Sequence, residues 1–149
     1  MTALAADKEL AIAPDGTLYA SDPAWKKGNG QLWRITKDGK THREEADMGT
    51  TNGIEVSPDG RTLYVNESVQ RNVWVFDVTA DGSLANKSLV KQFPDHGFDG
   101  HRCDVDGNLY IARYGEGVVA VVSPRGDILR KVPVLGAKPS NLCFGGPDG

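Results

Sequence analysis

A short hairpin motif recurs along this chain of 149 residues at nearly constant spacing. Each copy places an Asp-Gly turn between two runs that alternate apolar and polar residues. The turn glycines are Gly16, Gly60 and Gly107, which lie 44 and 47 residues apart, and the motif returns at Gly149. Such alternation indicates half-buried strands, and a turn glycine between two of them indicates a hairpin. The chain is therefore expected to consist of repeated hairpins with almost no helix.

Each copy continues into two further strand-like runs, the first of which reads QLWRI, NVWVF or GVVAV. A repeat of roughly 40–50 residues with four short strands is typical of a β-propeller blade. We therefore predict an all-β fold in which residues 1–149 form a partial β-propeller of four-stranded antiparallel blades. The blades cover about 8–47, 52–93 and 99–136, and the first strand of a fourth covers 140–149. Three blades are half of a six-bladed propeller. A β-sandwich of similar hairpins is the alternative.

The composition argues against two classes of partner. With 17 Lys and Arg against 20 Asp and Glu, the formal net charge is −3, so there is no electrostatic reason to expect binding to nucleic acid or to a membrane. No apolar run approaches the roughly 20 residues that a membrane-spanning helix needs, and the first residues lack the pattern of a signal peptide. Cys103 and Cys143 both lie in apolar, strand-like contexts, which favours two free buried thiols over one disulfide. Free thiols in turn indicate a reducing, cytoplasmic location.

Aligning the copies on their turns places polar residues directly before the first strand of each blade. Four positions, which we call the polar column, are Lys8, Asn52, Asp99 and Asn141. The first strand of each propeller blade lines the central channel, so these side chains are expected to converge at one end of it. Amide and carboxylate oxygens gathered there form a site for a hard cation. The alternative is ordinary turn chemistry, because Asn and Asp before a strand bond to their own backbone.

Two longer stretches resemble a known family. TNGIEVSPDGRTLYVNES and FDGHRCDVDGNLYIARYGEG are similar to blades of the gluconolactonase and senescence-marker-protein (regucalcin-like) lactonases, and the similarity extends from about position 8 onward. The resemblance implies a six-bladed propeller, longer than this chain, that binds a divalent metal. Calcium and zinc are the expected metals. It also implies hydrolysis of sugar lactones and related esters, so a small-molecule lactone is the expected substrate.

The resemblance also implies roles for single residues. It places Asn52 and Asp99 at metal-binding positions, and Asp99 is also the expected catalytic base. The implied chemistry is metal-assisted hydrolysis. Two departures stand out. Lys8 occupies the position of a substrate-binding asparagine, and the glutamate that completes the family's metal site comes from a blade that this chain does not contain.

Three further residues are candidate substrate contacts beside Lys8. Trp25 follows Asp-Pro in a loop near the channel mouth, with packing on a blade as the alternative. Glu67 ends a second strand and is otherwise an exposed strand-end carboxylate. His101 lies two residues after Asp99, although the spacing of the histidines matches no common zinc site.

The half-length of the predicted ring leaves several hypotheses open. A homodimer about the propeller axis would close a six-bladed ring and cover the end sheets. Alternatives are a piece of a longer parent protein and a strand-swapped assembly through residues 140–149. The function itself has two rivals to a metal-dependent lactonase. One is a non-catalytic propeller fragment that serves as a binding or assembly module, and the other is a propeller esterase or synthase that needs no metal.

Overall fold

The computed structural model of the chain describes residues 9–25 and 28–146. Within them, strands form three separate four-stranded sheets, each an antiparallel meander in chain order. The first contains β1 Glu9–Ile12, β2 Leu18–Asp22, β3 Gly30–Ile35 and β4 Thr41–Met48. The second contains β5 Thr51–Val56, β6 Thr62–Glu67, β7 Asn72–Val78 and β8 Leu84–Gln92. The third contains β9 His101–Cys103, β10 Leu109–Arg113, β11 Val118–Val122 and β12 Ile128–Pro133. The predicted all-β fold of blade-like sheets is confirmed.

The Asp-Gly turns close the first hairpins through the aspartate side chain. Asp15 Oδ1 accepts a hydrogen bond from the Thr17 amide at 2.9 Å, and Asp59 Oδ1 accepts one from the Arg61 amide at 3.1 Å. The glycine after each aspartate has a positive φ, 91° at Gly16 and 73° at Gly60, which an L side chain rarely adopts. Turn chemistry therefore sets the register of the strands on either side.

Two hydrophobic clusters hold the sheets face to face. The cluster between the first and second sheets includes Tyr19, Leu32, Ile54, Leu63 and Phe76. The cluster between the second and third includes Tyr64, Phe93, Phe98, Leu109 and Ile111. Full burial of one such side chain stabilises the fold by about 1.5–3 kcal/mol. The inner strands β1, β5 and β9 are neighbours in the stack, which brings the segments of Asn52 and Asp99 close to each other.

The outer face of the first sheet has no covering sheet in the described chain. Strand pairing places Leu10 and Ile12 in register with Ile54 and Val56 of the second sheet. Leu10 and Ile12 are 50 % and 68 % exposed, whereas Ile54 and Val56 are 0 % and 6 % exposed. The difference arises because the first sheet packs on the face of the second that carries Ile54 and Val56. Among the described residues, no sheet packs on the face of the first that carries Leu10 and Ile12.

The segment after β12 lies across the outer face of the third sheet. The Gly100 amide donates to the Ser140 carbonyl at 2.8 Å, and the Phe144 and Tyr110 rings meet edge to face with centroids 5.0 Å apart. Residues 140–146 form no strand, and no described strand pairs with them, so the first strand of a fourth blade stays a prediction. The last three residues of the predicted 140–149 strand lie outside the described residues.

Both cysteines are free, as predicted. Cys103 is buried, but the predicted burial of Cys143 is wrong, because its segment has no covering layer and leaves the thiol exposed. Among the described residues, no helix is long and apolar enough to cross a membrane.

Candidate functional site

Asn52 lies at a β-bulge within β5, and Asp99 lies two residues before β9, where Asp99 and Gly100 both bond to Ala112 in a bulge-like arrangement. In the second sheet the pairing shifts between Thr51 and Ile54, so that Asn52 and Gly53 both lie opposite Asn66. In the third sheet the Asp99 amide donates to the Ala112 carbonyl at 3.1 Å, and the Ala112 amide donates to the Gly100 carbonyl at 3.0 Å. A bulge adds one residue to a strand and redirects its side chain. The bulge explains the turn-forming Asn-Gly pair: it lies inside β5, so the expectation that Asn52 stands directly before the strand is wrong, whereas Asp99 does precede β9.

The two side chains meet across the interface between the second and third sheets. Asn52 Nδ2 donates to Ser68 Oγ at 3.2 Å and to the Phe98 carbonyl at 3.4 Å, directly beside Asp99. Burial raises the pKa of the Asp99 carboxyl, and hydrogen bonding from Asn52 partly opposes that shift. A half-buried carboxylate with a raised pKa is a stronger proton acceptor than one in water.

Glu9 also lies near this pair, although the sequence analysis did not single it out. Burial raises the pKa of the Glu9 carboxyl, the charge of Asp99 raises it further, and the charge of Arg102 opposes both. Arg102 Nη1 in turn lies 3.4 Å from Glu55 Oε2. Glu9 pairs with Ser21, the register position that Asn66 occupies in the second sheet. The bulge gives β5 one residue more than β1. An alignment of the repeats that includes this extra residue matches Glu9, rather than Lys8, to Asn52.

Hydrogen bonds from side chains of the preceding sheet hold the backbone carbonyls of Asn52 and Asp99. Ser21 Oγ donates to the Asn52 carbonyl at 2.5 Å, and Asn66 Nδ2 donates to the Asp99 carbonyl at 2.7 Å. Ser21 and Asn66 occupy the same register position in successive sheets. The same kind of contact thus ties each blade to the start of the next.

His101 is fully buried behind Asp99. Burial, with a smaller contribution from the charge of Arg102, lowers the pKa of His101 to about 3, while the Tyr64 carbonyl opposes the shift. The ring is therefore neutral, and His101 Nδ1 lies 3.1 Å from Asn66 Nδ2, where it accepts a hydrogen bond. This burial favours a supporting role over direct contact with substrate, and the predicted contact remains a prediction.

The other predicted substrate contacts are spread over different environments. Glu67 is buried: its Oε1 accepts from the Gly49 amide at 2.7 Å and its Oε2 accepts from Asn72 Nδ2 at 2.8 Å, so the alternative of an exposed carboxylate is wrong. Trp25 is exposed in the loop between β2 and β3, at the same end of the sheets as Asn52. Lys8 lies outside the described residues. Substrate binding by any of them remains a prediction.

Gly53 provides a direct test of how tightly the site is packed. A Cβ at this position would lie 2.6 Å from the Asp99 carbonyl oxygen, from Asn66 Nδ2 and from His101 Nδ1. We expect Gly53→Ala to lower the free energy of unfolding by about 1–3 kcal/mol, because a backbone oxygen cannot move aside cheaply. Urea unfolding measures this loss. Gly145→Ala is the matched control, since nothing lies within 4 Å of its Cβ. Equal stability of the two variants would contradict the described packing.

Comparison with known proteins agrees with this fold. The sequence profile of the SMP-30/Gluconolactonase/LRE-like region family matches residues 6–149. A gluconolactonase from Zymomonas mobilis subsp. mobilis is 27 % identical over 92 % of this chain and 44 % of its own length. Regucalcin from Danio rerio is 31 % identical over 78 % of this chain and 41 % of its own length.

Solved structures give the same result. A crystal structure from Agrobacterium tumefaciens, described as a calcium-binding protein, regucalcin, superposes with a TM-score of 0.84 at 26 % identity, covering 95 % of this chain and 51 % of that one. The chain spans about half the length of the relatives that it matches. By the match over residues 6–149, the chain belongs to the SMP-30/Gluconolactonase/LRE-like region family.

Proposed function

We propose that this chain hydrolyses a lactone at the site formed by Asn52 and Asp99. The observation that supports this most strongly is that two bulges in neighbouring sheets bring an amide and a half-buried carboxylate together. Family membership points the same way, since relatives are named gluconolactonase, pentonolactonase and 6-deoxy-6-sulfogluconolactonase. Because the chain spans about half of those proteins, their activity is carried over here as a proposal.

The side chains at the site fit a hard divalent cation. Asn52 Oδ1, the Asp99 carboxylate and the Glu9 carboxylate are oxygen donors, the type that calcium prefers. The described residues contain no group of three His, Cys, Asp or Glu side chains suited to a metal, so Asn52 is needed to complete the donor set. Zinc prefers nitrogen and sulfur, which makes calcium the better match of the two predicted metals. A bound cation would polarise the lactone carbonyl and acidify a water molecule.

The chain's own residues supply the remaining chemistry. Asp99 accepts the proton of the water whose oxygen attacks the lactone carbonyl carbon. The ring carbon–oxygen bond then breaks, and the ring oxygen leaves as a hydroxyl by taking back the proton that Asp99 accepted from the water. Burial keeps the Asp99 carboxyl basic enough to accept a proton. The hydrogen bonds of Asn52 to Ser68 and Phe98 hold its amide beside that carboxylate.

We also keep the proposal that two copies complete a six-bladed ring. The exposed Leu10 and Ile12 support it, because their equivalents in the second sheet are covered by a neighbouring sheet. A second copy's β1 would take the place against the third sheet that residues 140–144 occupy. Ring closure by homodimerisation therefore requires this segment to move, as it does in a strand-exchanged dimer.

A non-catalytic binding or assembly module is the second candidate. The exposed apolar face of the first sheet favours it, because such a face marks a surface that another sheet covers. On this hypothesis the site residues would be retained as structure, and the chain would show no turnover even after a partner had bound.

The deciding experiment is hydrolysis of δ-gluconolactone by metal-stripped protein, with and without added calcium or zinc. We expect calcium to increase the rate at least about tenfold over the stripped protein, because a cation that polarises the carbonyl oxygen would stabilise the transition state by several kcal/mol. Spontaneous hydrolysis is measured in parallel. Turnover that is independent of metal would favour a metal-free propeller esterase. If the rate never exceeds spontaneous hydrolysis, with or without either metal, the proposal is overturned and the non-catalytic module becomes the favoured function.

A further inference from the structure

A buried polar pair lies behind Asp99, where the other repeats of this chain have apolar or small residues. His101 pairs with Ile111 and is in register with Ile54 and Leu10. Asn66 is in register with Ser21, and in the third sheet Ala112 is the equivalent residue. Ile54, which is as fully buried as His101, shows that a branched aliphatic residue suits this position. A histidine there needs a reason beyond packing.

The pair is costly to bury. Both Asn66 and His101 are fully buried, and among the described residues Asn66 Oδ1 and His101 Nε2 have no hydrogen bond of good geometry. An unsatisfied buried polar atom opposes folding, which is why such atoms are rare and call for an explanation. Replacement of both residues by apolar side chains of similar shape is close to neutral for stability in general. Stability therefore does not account for the pair.

The contacts of the pair lead to both residues of the proposed site. Asn66 Nδ2 donates to the Asp99 carbonyl at 2.7 Å and lies 3.1 Å from His101 Nδ1. The Asp99 carbonyl can only accept, so the Asn66 amide presents its nitrogen to Asp99, and the same nitrogen lies within hydrogen-bond distance of His101 Nδ1. The same three groups meet at Gly53, where the missing Cβ leaves them room. Gly53 follows Asn52 directly, so the pair contacts the backbone on both sides of the site.

We infer that Asn66 and His101 are positioning residues that fix the bulge at Asp99 relative to the bulge at Asn52, and so set the geometry in which the two side chains act together. This inference rests on the proposed function for its catalytic meaning. Its structural content, that the pair orders the Asp99 bulge, stands by itself. Ser21 makes the corresponding contact to the Asn52 carbonyl with a shorter side chain, and the Ala112 side chain offers no donor to residue 141. Of the two bulges, the one at Asp99 is held by a pair of side chains and the one at Asn52 by Ser21.

His101→Leu separates positioning from structure, because leucine restores the apolar character found at Leu10 and Ile54. We expect the midpoint of urea unfolding to stay at or above that of the wild type. We also expect the amides of Asp99 and Gly100, which donate to Ala112 and Ser140, to exchange with solvent about tenfold faster. Calcium affinity, measured by calorimetry, is expected to fall about 10–100-fold, the usual effect of removing a residue that orients a metal ligand.

Two further variants sharpen the test. Cys103→Val, a change on the same face of the same strand, is the matched control and should leave exchange at Asp99 and calcium affinity unchanged. The double variant Asn66→Ala/His101→Leu should lose no more affinity than Asn66→Ala alone, because His101 acts only through Asn66.

The outcomes distinguish this inference from the proposed function. If the wild type binds calcium and His101→Leu binds it equally well, with unchanged exchange at Asp99, the inference is overturned and the metal site stands. If the wild type binds no calcium, the proposed metal site is wrong, and the positioning role is then tested by the amide exchange rates alone. Faster exchange at Asp99 in His101→Leu but not in Cys103→Val then supports positioning, and equal exchange overturns it. A loss of stability in His101→Leu that parallels the loss of affinity would show a structural role instead.

Discussion

Asp99→Asn is expected to lower the rate of lactone hydrolysis about 100- to 10 000-fold, the range that a positioned general base contributes. Asparagine keeps the size of the side chain and its ability to ligate through oxygen, but it cannot accept the proton of the attacking water. The raised pKa of the Asp99 carboxyl, which burial causes, gives wild-type Asp99 its basicity. The measurement is kcat/KM for δ-gluconolactone, corrected for spontaneous hydrolysis.

The control for this variant is a carboxylate at the other end of the same sheet. Asp106 lies exposed in the hairpin turn between β9 and β10, so Asp106→Asn makes the same chemical change away from the site. We expect it to keep wild-type kcat/KM within a factor of two or so, since exposed substitutions rarely alter distant sites. A rate for Asp99→Asn within tenfold of the wild type would remove Asp99 from the role of base.

Ile54→Ala is expected to lower the free energy of unfolding by about 2–5 kcal/mol, whereas Leu10→Ala should change that of the monomer by no more than about 0.5 kcal/mol. The two positions are in register in successive sheets, and both changes remove a branched aliphatic side chain of the same size. Ile54 is packed between the first two sheets, so its truncation leaves a cavity. Leu10 loses few contacts, because its face of the first sheet is open in the described chain.

Urea unfolding at two protein concentrations measures both changes. A large loss for Leu10→Ala that depends on protein concentration is the result expected if the proposed homodimer forms, because a second copy then covers this face in solution. The same loss without concentration dependence would show that another part of the chain covers it. A small effect of Ile54→Ala would contradict the assigned packing of the first two sheets.

The sequence predicted the repeat well, because its signals are local. Asp-Gly turns and alternating apolar residues act within a few residues of each other, and they were enough to predict hairpins around Gly16, Gly60 and Gly107. The same local register placed Asn52 and Asp99 at equivalent points of successive sheets, before any contact between sheets was known. Free thiols also followed from the sequence, although the exposure of Cys143 did not.

Other features depend on contacts between sheets, which the sequence does not encode locally. Glu67 ends its strand where an exposed carboxylate was the simpler expectation, yet the Gly49 amide and the Asn72 side chain enclose it. Glu9 approaches Asp99 because its strand lacks the extra residue that the Asn52 bulge inserts in the next one. Counting residues from the turns cannot detect that offset.

By itself, the sequence determined that this protein is built of four-stranded antiparallel units, because turn formation and strand alternation are short-range effects, and it predicted a column of polar residues near the starts of their inner strands. Only the tertiary structure decided which column residues meet and what surrounds them. The bulges at Asn52 and Asp99, the approach of Glu9 and the burial of Asn66 with His101 all arise where one sheet packs on the next. Packing between sheets depends on residues from different repeats at once, and no single repeat specifies it.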